Sequence, residues 1–336
     1  MVVSIPEALC IAKSFRKSSK FREAQSVLRQ ILKDDPNHLE TLHLLGLTHL
    51  ETQEPDRAVS FFEKACAIDP TCIQFQNSLG FSLISLGKIK EAETVFNKTI
   101  QELSNQEDAS KDLSKTYVIT LELLSNQGKL DQAIEHGRKA LKIDPKNQNA
   151  HFHMGNLLFR LQMWNESIFH YQCCVELQPE NFDARFNLGV VFNKLDRFDL
   201  SVEAFQSALL CNPGHVETLY NLAANLLALE KCDQAEELLH RALKIEPHCF
   251  QANLCMGRVL EIQGHFQKAI AFYALAAKEK PNDPIPYWHM GVALRNMGKL
   301  VEALKSLNQA LKFDPSFIPA QQISTELSAQ LKDLQS

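Results

Sequence analysis

Twelve histidines and nine cysteines give this 336-residue chain enough side chains for a metal site or a nucleophilic dyad, but their spacing argues against both. His151 and His153 stand two apart, a spacing that turns them to different faces of a helix, so they do not close on one ion. His43 and His49, six apart, are no better placed. No H-E-x-x-H, no phosphate-cradling G-x-x-x-x-G-K-[ST] and no G-x-S-x-G elbow occurs. No C-x-x-C pair occurs either: Cys173 and Cys174 are adjacent, and Cys249 and Cys255 lie six apart. These cysteines read as small apolar side chains in a reducing compartment. The sequence therefore predicts no catalytic residue, no metal and no cofactor, and the chain is expected not to be an enzyme.

Formal net charge is -5, from 35 basic and 40 acidic side chains that are interleaved along the chain. A phosphate backbone needs a basic stripe, so nucleic acid is excluded as an expected partner. No run reaches the roughly 20 apolar residues of a membrane span. The start, Met-Val-Val-Ser-Ile-Pro-Glu, lacks the basic region and apolar run of a secretory signal. A cytoplasmic location without membrane insertion is expected.

Proline sets the period that organises the chain. Pro36 and Pro70 are 34 apart, as are neighbours in the series Pro145, Pro179, Pro213, Pro247, Pro281 and Pro315. Most close a tripeptide such as Ile68-Asp69-Pro70 or Phe313-Asp314-Pro315. A fixed period of this length marks a stack of one supersecondary unit. With the proline at position 32, position 8 holds Gly46, Gly80, Gly155, Gly189, Ala223, Gly257 and Gly291. Position 20 is Ala or Ser throughout, from Ala24 to Ala303, and position 27 is often Ala. Position 24 is usually large: Phe62, Phe96, Tyr171, Phe205, Tyr273. Apolar residues at i, i+3, i+4 and i+7 predict two amphipathic helices per unit. The small residues let the helix axes approach, and the residue at 24 fills the space beside them. Turns such as Leu86-Gly87-Lys88 and Met297-Gly298-Lys299 end the first helix with a left-handed glycine. The residue before proline is pushed out of the helical region and ends the second.

This spacing and these residue types resemble the tetratricopeptide repeat family over nearly the whole chain. Nine units fall at about 5–36, 39–70, 73–104, 114–145, 148–179, 182–213, 216–247, 250–281 and 284–315. The resemblance implies an all-α, right-handed superhelical solenoid of about nine helical hairpins, with first helices lining a concave groove. It also implies a protein-binding scaffold. The segment 316–336 is expected to add a capping helix, with Phe317, Ala320, Ile323, Leu327 and Leu331 on one face. Two features depart from the pattern. Pro70 and Pro145 are 75 apart, seven residues more than two periods. The surplus falls in a polar stretch at 105–111, an insertion or hinge expected to separate repeats one to three (1–104) from repeats four to nine (112–315). Repeat four also carries Leu121 at position 8 and Gly137 at position 24, where glycine and an aromatic are expected, and so reads as the atypical unit.

In that family's geometry, positions 2, 5, 6, 9, 12 and 13 face the groove. Asn156, Asn187 and Asn221 then form a run of amides along repeats five to seven, beside His153. Each amide offers one acceptor and two donors to a passing peptide backbone. The run resembles the asparagine ladder in the repeat arm of O-linked N-acetylglucosamine transferase. The repeats fill these 336 residues, so no transferase domain is expected. A chaperone-tail clamp is not expected: Phe152, Glu217 and Asn221 occupy the places its three cations require. Phe152, Phe186, Tyr220 and Trp288 fall at position 5, as groove wall or as packing between hairpins. Arg258, His289 and Arg295 are expected to give one end of the groove a modest positive character. The function expected is that of a scaffold or adaptor binding an extended peptide segment of another protein. The alternatives are a self-associating structural protein and a regulatory or targeting subunit of an enzyme complex.

Overall fold

The computed structural model describes residues 4–104 and 110–333, so most of the 105–111 insertion lies outside the described residues. Among the described residues there are 19 α-helices and no strand. They run α1 (Ile5–Lys17), α2 (Phe21–Asp34), α3 (Leu39–Glu51), α4 (Pro55–Ile68), α5 (Ile73–Ser85), α6 (Ile89–Leu103), α7 (Ser110–Asn126), α8 (Leu130–Ile143), α9 (Gln148–Arg160), α10 (Trp164–Leu177), α11 (Phe182–Lys194), α12 (Phe198–Cys211), α13 (Val216–Ala228), α14 (Cys232–Ile245), α15 (Phe250–Ile262), α16 (Phe266–Glu279), α17 (Pro284–Asn296), α18 (Leu300–Phe313) and α19 (Ile318–Asp333). The chain divides into two compact units, one up to Arg160 and one from Leu161. Within each, consecutive helices pack as hairpins and each hairpin packs on the next. The fold is the all-α repeat solenoid.

One backbone device recurs in every unit. Position 15 takes a left-handed conformation nine times: Gly87, Gly128, Gly264 and Gly298 at φ 74–79°, and Ser19, Gln53, Gln162, Asp196 and Glu230 at φ 54–60°. The four glycines were legible in the sequence, whereas the five other residues hold the same turn at a steric cost. In repeat three the turn closes with Lys88 N–H donating to the Leu83 carbonyl at 2.9 Å. At the other end, the residue before proline is extended, as at Asp69 (φ -127°, ψ 89°), and its N–H donates to the Ala65 carbonyl. The aspartate side chain then accepts from the backbone two residues on: Asp69 Oδ1 from Thr71 N, Asp144 Oδ1 from Lys146 N. Repeat three has Ser104 in place of proline, and α6 accordingly runs 15 residues where other second helices run 14. Part of the seven-residue surplus goes into α7, which at 17 residues is four longer than its counterpart α5.

The hairpin interior is a contact between positions 8 and 24. A Cβ added to Gly46 would lie 2.5 Å from the Phe62 ring, and one added to Gly189 would lie 2.5 Å from Phe205. Carbon atoms pack at about 3.5–4.0 Å, so only glycine fits beneath these rings. Repeat four inverts the sizes: a Cβ on Gly137 would meet Leu121 Cδ1 at 2.6 Å and collide with Met154. What reads as an irregular unit is the same contact with large and small exchanged. Positions 20 and 27 are buried throughout, including Ala208, Ala242 and Ala303 at 0% exposure. Where position 20 is Ser201, its hydroxyl donates to the Gly189 carbonyl (2.7 Å) and accepts from Asn225 Nδ2 (2.6 Å), so both buried groups are satisfied. The last helix, α19, buries Ala320 and Leu327 in the cluster that includes Leu307 of α18. Gln321, Gln322, Thr325 and Glu326 stay exposed, the arrangement a terminal cap requires.

Candidate functional site

The groove positions lie on the first helices, which are held by the 8–24 contact beneath them. In the first unit, Phe152 and His153 of α9 are half-buried, their rings 5.7 Å apart edge to face. His153 Nε2 lies 3.9 Å from the Glu122 carboxylate. Burial lowers the His153 pKa and Glu122 raises it, with burial dominant. Asn156 is half-buried and already engaged.

In the second unit, Phe186 of α11 stacks on Phe182 (6.0 Å) and meets His215 (5.5 Å) and Phe205 (5.6 Å). It is packing between hairpins as much as groove wall. Tyr220 is half-buried, and burial together with Glu217 pushes its pKa up to about 12. Trp288 packs edge to face on Phe317 (5.8 Å), and its Nε1 is buried without a partner.

The two amides of this unit are not equivalent. Asn187 hydrogen-bonds the buried Tyr171 hydroxyl, which Ser167 also contacts. Asn221 follows a repeat with Phe205 at position 24, which offers no such hydroxyl, and it has no side-chain hydrogen bond among the described residues.

At the end where Arg258, His289 and Arg295 are expected to give a modest positive character, the structure adds the carboxylate of Glu261. Arg258 is exposed and Arg295 half-buried. His289, however, stacks on Tyr273 at 4.9 Å, and its Nδ1 lies 3.4 Å from the Glu261 carboxylate. Glu261 also accepts from the Tyr273 hydroxyl at 2.5 Å. Burial pulls the Glu261 pKa up, but hydrogen bonds from His289 and Tyr273 outweigh it and the net shift is downward. His289 is therefore part of a half-buried polar cluster with Glu261 and the buried Tyr273. Glu261 is at position 12, where the same position-by-position alignment would have found it.

No group of three or more His, Cys, Asp or Glu among the described residues is placed to hold a metal. Nor is any described helix long and apolar enough to cross a membrane. His151, for example, is spent on the Pro145 carbonyl, 3.1 Å from its Nε2.

Family models for the tetratricopeptide repeat match residues 124–162, 152–215, 220–284 and 286–317, together more than half the chain. The chain belongs to the tetratricopeptide repeat family. A model for anaphase-promoting complex, cyclosome, subunit 3 matches residues 17–99. Human tetratricopeptide repeat protein 6 is 24% identical over 191 residues, 48% of this chain and 37% of that protein. The Candida glabrata peroxisomal targeting signal receptor is 31% identical over 67 residues, 20% of this chain and 11% of that protein. The chain thus spans little more than a third of these relatives at most. Among solved structures, Pseudomonas aeruginosa pilF is similar at TM-score 0.54 and 18% identity, covering 65% of this chain and 100% of that one. These repeats make the protein an interaction scaffold in general terms, of a family whose members bind proteins and are generally not catalytic.

Proposed function

We propose that this tetratricopeptide repeat protein captures an extended segment of a partner protein along the groove positions of its first helices. Asn187 and Asn221 meet the peptide backbone in the second unit, and Asn156 does so in the first. The observation that carries this reading is Asn221, a half-buried amide on a first helix with no side-chain hydrogen bond among the described residues. Its acceptor and donors match a peptide's N–H and C=O irrespective of sequence. The test is an array of random twelve-residue peptides, with the affinity of the strongest binder then measured by calorimetry. Losing the contacts in Asn187→Ala/Asn221→Ala costs roughly 1–3 kcal/mol, about five- to 150-fold in Kd. Unchanged affinity in a folded double variant removes the amides from the site.

Self-association is the second reading, favoured by one observation. Positions 4 and 7 are buried as Leu42 and Leu45 in repeat two and as Leu219 and Leu222 in repeat seven. In repeat one they are Ala8 and Ile11, with Ile11 42% exposed beside a hollow of about 500 Å³. A mass that rises with concentration in light scattering supports this reading, and a constant monomer mass removes it. We also propose the surplus residues 105–111 as the joint after repeat three. Limited proteolysis should cut there before any regular unit; a first cut inside a hairpin contradicts it.

A further inference from the structure

The first unit carries two adjoining hollows on the groove positions of repeats three to five. One, of about 290 Å³, is bounded by Phe81, Ile119, Glu122 and His153; the other, of about 440 Å³, by Phe81, Asn77 and Lys115. Phe81 and Lys115 belong to both, so the two are neighbours. Side chains on one side of an extended peptide recur at roughly 6.6 Å, twice the rise per residue, which suits neighbouring hollows. Phe81 is 45% exposed and steadied from below by an edge contact with Phe96 at 6.1 Å. A fixed aromatic face of this kind attracts cations. In the wall of the larger hollow, Asn77 Oδ1 is buried without a donor.

Charge identifies the occupant. On the groove positions of this unit, Glu40 is paired with Lys13 (2.6 Å) and Glu51 with Arg16 (2.7 Å). Lys115 is paired with Asp112 at 3.0 Å. Glu122, half in solvent, has only His153 at 3.9 Å. Burial disfavours the charged form of that imidazole. The carboxylate of Glu122 is left without a cation, next to the exposed ring of Phe81.

We propose that the groove positions of repeats three to five take an extended peptide segment carrying an arginine or lysine side chain, seated between the Phe81 ring and the Glu122 carboxylate. This rests on the groove reading above for the extended form of the ligand, but not on the asparagines. The test is an array of acetylated nonapeptides with Arg, Gln or Glu fixed at the centre and mixtures elsewhere, read with the intact chain. The expected order is Arg above Gln above Glu, with Arg over Glu by about fivefold or more, the scale of one exposed charge contact. Glu122→Gln, an exposed substitution checked by circular dichroism, should bring Arg and Gln within about twofold of each other. Phe81→Ala should weaken the Arg set more than the Gln set. A preference for Glu, which would mean Lys115 recruits an acidic ligand, overturns the proposal. So does an Arg preference that survives in Glu122→Gln, or no signal from any set. If Asn187→Ala/Asn221→Ala abolishes array binding while Glu122→Gln leaves the Arg preference intact, the function proposed above stands and this inference falls.

Discussion

Repeats four and six solve the same packing problem with opposite residues. In repeat six Gly189 lies under Phe205; in repeat four Leu121 fills the space that Gly137 leaves. The hairpin interior constrains the combined volume at positions 8 and 24, and either order satisfies it. Their groove positions differ in chemistry. Repeat six presents Asn187 and Phe186 there, whereas repeat four presents Lys115 and Glu122. The interior makes the units alike, and the groove positions make them differ.

The largest expected effect breaks the interior. Phe205→Ala removes a fully buried ring and should cost about 3–5 kcal/mol, felt mainly by neighbouring hairpins. The exchange itself is tested by a cycle in repeat four. Leu121→Gly opens a cavity and Gly137→Phe overpacks, but together they restore the common order. The double variant should lose less stability than the sum of the singles, by about 0.5–3 kcal/mol in denaturant melts. Additive losses would mean that positions 8 and 24 do not share one volume; Met154, which also borders Gly137, limits the recovery.

A smaller effect separates repeat eight from both. There a groove residue, Glu261, is tied to the interior through Tyr273. A carboxyl whose pKa falls on folding contributes stability when ionised. The contribution is full above the unfolded value, about 4.3, and is lost as pH falls through the lower folded value. Glu261→Gln should therefore cost about 1.5–3 kcal/mol at neutral pH, with the gap to the unaltered chain closing in acid. An equal gap at pH 7 and in acid contradicts the role of the charge.

The smallest effect distinguishes the two amides. Asn187→Ala removes a partner of the buried Tyr171 hydroxyl and should cost about 0.5–1.5 kcal/mol. Asn221→Ala should change the melting midpoint little, within about 0.5 kcal/mol. Equal losses would mean that both amides serve the fold.

The proline period, the small residues at 20 and 27 and the 8–24 pairing were legible because each is a sequence-local consequence of one hairpin. The turn at position 15 was half legible: glycine announces a left-handed residue, but Gln53 and Glu230 adopt it without that signal. The groove was legible as positions and not as chemistry. Asn221 has no side-chain hydrogen bond among the described residues, whereas Asn187 is tied to Tyr171 of the preceding repeat, 16 residues away. His289 read only as part of a modestly positive end because Glu261 and Tyr273, from the preceding repeat, meet it only when the repeats stack. The hollows beside Phe81 likewise arise between successive repeats and have no local signature.

The claim that partners are held on the groove positions is tested most directly by site-specific photocrosslinking in cells that express the chain. p-Benzoylphenylalanine is placed at Asn221 on α13, or at Leu210, which is 83% exposed on α12. A discrete crosslinked partner from Asn221, and none from Leu210, is the result expected. Crosslinking from Leu210 alone would put the binding surface on the second helices and contradict the account.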